Sequence, residues 1–472
     1  MSAEPAFWAP RAWVNGAWAN AVLLRVDAQG RWAQISPDTP PSPQAQLLPG
    51  PVLPSLVNAH SHAFQRAFVG LAERRDSAHD DFWSWRDRMY RVALRITPVQ
   101  LQTVATQLCT ELLAGGYTQV CEFHYLHHAE DGQPYADEAA TSRALAAAAQ
   151  ATGIGLTLLP VLYERAGFTQ PALREDQRRF ATDVARVLRL RDAVRSWNLP
   201  NVNAGVAIHS LRAAAAESIR SLVQQLQGDP GPIHIHIAEQ TGEVSDCLAA
   251  TGARPIEWLA RELPLDARWQ LVHATHATPE EIDAVAATGA GVVLCPGTEA
   301  NLGDGLADLP RWLTAGVPLS LGSDSQVSRS WPEELRWLEY GQRLLLRQRN
   351  VAAAFGLGSG SGSSCEPGAE PRAEPSTAAR LFERMRMGGA AAAGFAQWGL
   401  VVGARADLLV LDVAQSALCG LPPSHLLDGL VFAAPERPFA KVMVAGRWVD
   451  AANAPAPGFT AAMQALWPPS AG

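Results

Sequence analysis

Apolar runs of about four to eight residues recur along the chain, and longer tracts with helical periodicity separate them. The first run, Leu53-Pro54-Ser55-Leu56-Val57-Asn58-Ala59-His60-Ser61-His62, reads as a strand whose apolar body ends in two histidines. A helical tract over 97–114 stops near Gly115-Gly116, and residues 118–125 form the next strand. An Ala-rich helix over 137–151 ends at Gly153, a third strand covers 154–162, and a charged helix over 174–197 leads to a fourth at 203–209. Further strands are predicted at 233–239, 269–273, 291–295 and 318–324, each followed by a helix. Apolar strands alternating with helices imply a parallel sheet, and eight of them predict a (β/α)8 TIM barrel. A doubly wound open sheet is the other arrangement. No Gly-x-Gly-x-x-Gly follows the first strand, so a dinucleotide fold has little support.

Both ends of the chain carry short strands. Residues 12–14, 21–26 and 32–35 are strand-like, with turn signals at Asn15-Gly16 and Gln29-Gly30. Residues 407–412 and 441–449 are strands again, the latter with a Gly446 turn. Neither group could bury both faces alone, so the two termini are predicted to join in one small β-sandwich domain. This divides the chain into 1–52 (N-terminal part of the β domain), 53–395 (barrel) and 396–472 (C-terminal part of the β domain). Within the barrel, 356–376 is rich in Gly, Ser, Pro and Glu. It reads as a flexible surface insertion with no assigned function.

With 472 residues, 48% of them hydrophobic, the chain is ample for a barrel plus an accessory domain. A net charge of -8 leaves no basic field of the kind nucleic acid needs. The six cysteines are scattered, with no Cys-x-x-Cys pair, which points to a reducing cytoplasm rather than a disulfide framework. Met1-Ser2-Ala3-Glu4-Pro5 lacks a basic region followed by an apolar run, and no stretch approaches 18 apolar residues. Neither a secretory signal nor a transmembrane helix is expected.

Catalytic groups of a barrel sit at the carboxyl ends of its strands. Here strand one ends in His60 and His62, strand five in His236 with Glu239 three positions on, strand six in His273, and strand eight in Asp324. Residues i and i+2 of a strand face the same side, so His60 and His62 can present two imidazoles together. A single histidine after an apolar run usually belongs to the core, and a single aspartate there usually caps a helix. Such residues at four strand ends together indicate a site. Three neutral imidazoles and one carboxylate make a mononuclear centre for a borderline metal such as zinc, with room for water, and iron suits the set almost equally. Metal binding lowers the pKa of water toward about 7. Glu239 is placed to take the water proton and pass it to a leaving nitrogen, and His273 to steady the attacking oxygen.

These residues resemble the amidohydrolase superfamily, through His60-Ser61-His62, His236 with Glu239, His273 and Ser323-Asp324. Strand four ends in Ile208-His209-Ser210, where binuclear members carry a carboxylated lysine. The resemblance is therefore to the mononuclear deaminase branch and implies His60, His62, His236 and Asp324 as metal ligands. A narrower resemblance is to the bacterial formimidoylglutamate deiminases of histidine degradation. It rests on residues 58–66, Phe82-Trp83-Ser84-Trp85-Arg86, residues 122–127, His209-Ser210-Leu211-Arg212 and residues 234–240. It implies that Gln65, Arg86, Tyr125, His209 and Arg212 bind substrate, and that the protein is a homodimer. Read alone, Arg86 and Arg212 would pass for surface ion-pair partners. A substrate with two carboxylates gives them a purpose, because arginine suits bidentate carboxylate binding.

The expected reaction is hydrolytic deimination of N-formimidoyl-L-glutamate to N-formyl-L-glutamate and ammonia by a metal-bound hydroxide, with Glu239, His273 and Asp324 as catalytic residues. In this scheme Asp324 accepts the remaining hydroxyl proton. Breaking the inner C–N bond would instead give glutamate and formamide. Two alternatives are a mononuclear deaminase of guanine or a related heterocycle, and a metal-free barrel kept for binding. The arginine pair speaks against the first, since a neutral ring has no carboxylates. The full ligand set speaks against the second.

Overall fold

The structure is a computed structural model that describes residues 5–75, 81–354, 376–434, 438–451 and 455–467. The eight expected barrel strands are present and parallel. In chain order they are Leu56–Ser61, Tyr117–His124, Gly155–Leu162, a fourth in two pieces (Val202–Ala204 and Val206–Ile208), Ile233–Ile237, Trp269–His273, Gly291–Leu294 and Leu319–Leu321. The last pairs with the first and closes the barrel. Apart from Val202 and Asn203, every barrel-strand residue is buried. That two-sided burial is why the strands read as continuous apolar runs rather than alternating ones. The fourth strand breaks at Gly205, where a Cβ would stand 2.4 Å from the Pro232 carbonyl oxygen. Only glycine lets the chain pass so close to the neighbouring backbone.

Two sequence expectations change in detail. The run 53–62 is not one strand: Val52–Leu53 pairs within the terminal sheet, and the barrel strand begins at Leu56. Pro54, which has no N–H to donate, lies in the break. The helix expected over 174–197 is a 3₁₀ helix, Glu175–Phe180, followed by an α-helix, Val184–Ser196. Between them Thr182 is tied to the end of strand three: its hydroxyl donates to the Val161 carbonyl (2.7 Å) and accepts from the Tyr163 amide (2.8 Å). Asp183 then caps the second helix by accepting from the Arg186 amide.

The β domain from both termini is one eight-stranded sheet. Ala6–Val14, Ala17–Val26, Trp32–Ser36, Gln46–Leu47 and Val52–Leu53 come from the N-terminal side; Leu408–Leu411, Phe439–Val444 and Arg447–Val449 come from the C-terminal side. The expected turns occur, with positive φ at Asn15-Gly16, Gly30 and Ala445-Gly446. The sheet rolls over its own core of Val22, Leu24, Val26, Trp32, Leu408 and Val410. The Trp32 amide donates to the Ala404 carbonyl, and Phe7 meets Trp448 edge to face at 5.5 Å. The sandwich is thus a single sheet folded on itself. It is bolted to the barrel by a buried ion pair, Arg405–Asp407 (2.7 Å). Arg405 also donates to the Gln119 side chain (2.7 Å) and the Thr118 carbonyl (3.0 Å) of strand two.

Helix Thr377–Ala392 lies against the barrel where strand eight meets strand one. The insertion expected at 356–376 lies outside the described residues as far as 375. Ser376 begins this helix by accepting from the Ala379 amide. Among the described residues no helix is long and apolar enough to cross a membrane. Cys109, Cys121, Cys247 and Cys295 are buried free thiols.

Two adjacent glycines seat the helix on the closing seam. A Cβ on Gly388 would fall 2.1 Å from the Leu319 carbonyl oxygen, and one on Gly389 3.0 Å from Val57 Cβ. Gly→Ala inside a helix normally stabilises by roughly 0.5–1 kcal/mol. Here overpacking reverses the sign, and Gly388→Ala should destabilise by about 1–3 kcal/mol in urea unfolding. A variant as stable as the parent would show that the helix is not seated on the seam.

Candidate functional site

The strand ends bring the predicted residues together. His60 and His62 share one face, and their Nε2 atoms each stand 3.4 Å from Asp324 Oδ1. His236 reaches across from strand five, with its Nε2 2.9 Å from His60 Nε2. Asp324 is held between the two histidines by backbone bonds: its amide donates to the His60 carbonyl (3.0 Å), and its carbonyl accepts from the His62 amide (3.2 Å). All four side chains are buried.

Ring orientation is fixed from behind. His62 Nδ1 donates to the Phe123 carbonyl (2.9 Å) and His236 Nδ1 to the His209 carbonyl (3.0 Å). Each therefore turns an Nε2 lone pair toward Asp324 and His60. Burial holds His60 down to about 3 and lowers His62 and His236, so all three are neutral imidazoles at neutral pH. Asp324 stays ionised: burial opposes its charge, but His60, His62 and His273 hold it well below the usual carboxylate range. Ligand atoms about 2.0–2.1 Å from a tetrahedral centre stand about 3.3–3.4 Å apart, and His60, His62 and Asp324 lie close enough together to hold a metal ion, as do His60, His236 and His273. A proton on one of the two nitrogens makes the 2.9 Å contact between His60 and His236 Nε2 a hydrogen bond, and a bound metal would take that proton's place.

Beside this cluster stand the proton-handling groups. His273 Nε2 is 3.7 Å from both Glu239 Oε1 and Asp324 Oδ2. Its Nδ1 donates to Glu299 Oε1 (3.3 Å), which also accepts the Cys295 amide (2.9 Å). Burial works against a charged His273, yet Glu239, Cys295 and Glu299 raise it well above its ordinary value. Burial pushes Glu239 up to about 7, so near neutral pH it can carry or release a proton. Its amide is held by Glu243, which accepts from Ala238 and Glu239.

One cavity opens over these groups. Gln65, Arg86, Tyr125, His209 and Arg212 all line it, with His62, His236, Glu239, His273 and Asp324. Gln65 Nε2 donates to the Tyr125 hydroxyl (3.1 Å), and its Oε1 is buried with no partner. His209 packs 4.2 Å from the Tyr163 ring, and burial with the Arg212 charge keeps it well below its ordinary value. The Nε atoms of Arg86 and Arg212 are buried and unpartnered. Among the described residues Arg212 forms no ion pair. Glu239 and Glu243 feel its charge without pairing with it directly, which leaves the buried guanidinium able to meet an anion.

Sequence reasoning missed Glu299, although it follows the seventh strand by five positions and the strand-end rule could have reached it. It also missed the belt behind the candidate metal ligands. Asn58 Nδ2 donates to Ser323 Oγ (2.6 Å), and the Ser323 amide donates to Asn58 Oδ1 (2.9 Å). Ser323 Oγ donates to Gln326 Oε1 (2.7 Å), and Gln326 Nε2 donates to Ser61 Oγ (3.0 Å). Ser61 donates to Glu122 (2.7 Å).

A closed barrel with this cluster at its strand ends, flanked by a sheet from both termini, defines a class of hydrolase. The amidohydrolase family model matches residues 52–449, and the chain belongs to that family. It is 45% identical over 445 residues to the formimidoylglutamate deiminase of Pseudomonas aeruginosa, covering 94% of each chain. It is 27% identical to a 5-methylthioadenosine/S-adenosylhomocysteine deaminase of Haloarcula marismortui, covering 81% of this chain and 77% of the other. The crystal structure of an amidohydrolase from Brucella melitensis superposes with a TM-score of 0.86 at 39% identity, over 98% of both chains.

Outer partners of metal ligands typically contribute 10–100-fold in affinity. Asn58→Ala, which cuts the belt at Ser323, should weaken zinc binding about tenfold in competition with a chromophoric chelator. Unchanged affinity would mean that the belt does not hold Asp324.

Proposed function

We propose that this protein is a formimidoylglutamate deiminase acting in histidine catabolism. It hydrolyses N-formimidoyl-L-glutamate with one water to N-formyl-L-glutamate and ammonia. The observation that carries this reading is the pair Arg86 and Arg212 at one wall of the cavity, with the His/Asp cluster at its floor. The similarity to the Pseudomonas aeruginosa enzyme over almost the whole chain supports it. A ring deaminase is the weaker reading, because its neutral heterocycle would leave the buried Arg212 guanidinium without a direct ion-pair partner and give Arg86 no carboxylate beyond the exposed Asp87.

In this reading His60, His62, His236 and Asp324 hold one zinc ion, and iron suits the same donors. When bound, the metal supplies a Lewis acid that makes water nucleophilic at neutral pH. Arg86 and Arg212 grip the two carboxylates, while Gln65, Tyr125 and His209 shape the wall that fixes the formimidoyl group over the floor. Glu239 takes a proton from the attacking water and delivers it to the terminal nitrogen of the formimidoyl carbon. The bond to that nitrogen breaks, the nitrogen leaves as ammonia, and the carbon keeps the oxygen as a formyl group. His273, kept cationic by Glu239 and Glu299, stabilises negative charge developing on that oxygen. Asp324 takes the second proton of the water and passes it to the same departing nitrogen, so that both water protons leave on the ammonia. The buried free thiols suit a reducing cytoplasm. A homodimer without nucleic-acid or membrane partners completes the proposal.

Zinc-loaded enzyme given N-formimidoyl-L-glutamate should release ammonia and formylglutamate in equal amounts. Glutamate and formamide instead would move the cleavage to the inner bond, and no turnover would overturn the substrate assignment. Glu239→Gln should lower kcat at least about 100-fold while metal content stays at one per subunit. Substantial residual turnover would remove Glu239 from proton transfer. His236→Ala should lose the metal together with activity, measured by atomic emission on purified protein.

A further inference from the structure

The two cavity arginines come from separate parts of the chain. Arg86 is on helix Phe82–Ala93, and Arg212 follows strand four. They nevertheless share one support. The Arg86 guanidinium carbon is 4.6 Å from the centroid of the Trp83 ring, and that of Arg212 is 5.6 Å from the same ring. Arg86 is also 5.5 Å from the Tyr90 ring and 3.5 Å from Asp87. For Arg212 the indole is the one ring contact among the described residues. Trp83 itself does not line the reaction cavity. It lies behind the arginines, on the far side, where all three border a second, outer hollow.

Two guanidinium groups brought together with few counter-charges repel each other and tend to swing toward water. An indole face attracts cations through its quadrupole, more strongly than tyrosine or phenylalanine, and most strongly where water is excluded. One half-buried ring in reach of both groups holds them without neutralising either. Asp87, exposed and 3.5 Å from Arg86, is the one carboxylate in direct ion-pair contact with either group among the described residues, so most of their charge stays available to an incoming anion. The helix supplies the geometry for the first contact, since Trp83 and Arg86 are three residues apart and share a face.

We infer that Trp83 is a positioning residue that holds Arg86 and Arg212 as a pair, so that the enzyme reads two carboxylates on one substrate together. This rests on the dicarboxylate reading given above. The indole never touches substrate or the reacting atoms. Its loss acts on binding rather than on the chemical step, because Glu239, His273 and the His/Asp cluster lie beyond the arginines.

The test compares wild type, Trp83→Leu and Trp83→Phe, all zinc-loaded, in two assays. One is steady-state turnover of N-formimidoyl-L-glutamate, and the other is calorimetric binding of N-formyl-L-glutamate. Trp83→Leu should raise KM about tenfold and weaken formylglutamate binding alike, with kcat within about twofold and zinc content unchanged. Trp83→Phe, which keeps an aromatic face, should recover most of the loss. If Trp83→Leu leaves KM and binding as in wild type, the inference is wrong. If Leu and Phe are equally impaired, or kcat falls while KM holds, Trp83 merely packs the helix and the inference is also wrong. Failure of the substrate reading looks different: wild type itself would not turn over the formimidoyl compound. If that wild type still binds formylglutamate and Trp83→Leu does not, the paired-arginine role stands. If it binds none, both fall together.

Discussion

The barrel depends on a narrow closing seam. Strand eight, Leu319–Leu321, is three residues long and meets strand one in a single registered pair, Leu321 with Asn58. The isolated bridge between Ser61 and Asp324 extends it. So few ladder bonds would not hold a parallel pair in register against slippage. Side chains take over the work. Asn58 and Ser323 exchange two hydrogen bonds across the seam, and Gln326 ties Ser323 to Ser61. On the outside, Gly388 and Gly389 let a helix backbone rest directly on Leu319 and Val57. The seam also carries three of the four candidate ligands, because His60, His62 and Asp324 project from its rim. Barrel closure and metal geometry are therefore one constraint.

The electrostatics of the cavity follow from how this rim is buried. Enclosure alone would neutralise everything in it, and for His60, His62 and His236 it does, leaving lone pairs for a metal. His273 escapes because Glu299 backs one ring nitrogen while Glu239 stands near the other. The resulting row, Glu299–His273–Glu239, puts a cation between two carboxylates within reach of the reacting centre. Glu239, pushed up to about 7 by burial, stands near the point where a carboxyl group is equally ready to take or give a proton at neutral pH. The helix that follows strand seven, Pro296–Leu302, with Cys295 at its start and Glu299 in its first turn, thus separates residues that composition alone would treat as interchangeable.

What could be read from the sequence follows the same physics. The eight barrel strands were legible because burial on both faces leaves an uninterrupted apolar signature, and the ligands because each is a polar residue ending such a run. The terminal hairpins were legible from Asn15-Gly16 and Gly446, whose left-handed φ values the turns require. The division of 53–62 was not, since Pro54-Ser55 separates two strands that are both apolar but belong to different sheets. The interruption at 181–183 was hidden for a related reason: Thr182 leaves the helix to satisfy the end of strand three, a tertiary demand with no local mark. Arg86 and Arg212 gained meaning in the sequence only through resemblance. In the fold their place on one cavity wall, and the absence of a direct ion pair for Arg212 among the described residues, speak directly.

The rim is also strained. Ala238, His273, Asp324 and Gln326 all have φ between 46° and 71°, a region that disfavours residues with a Cβ by about 1–2 kcal/mol each. Each lies at or just past the end of a barrel strand, where the chain must turn sharply to aim a side chain inward. Glycine would relieve the strain but supply no side chain at His273 or Asp324. Local bonds hold the turns instead: the Ala274 amide donates to the Ile237 carbonyl, and Gln326 Nε2 to the Asp324 carbonyl (2.6 Å). Backbone strain and enclosed carboxylates thus gather at the same rim that closes the barrel, where a bound cation would offset the electrostatic part.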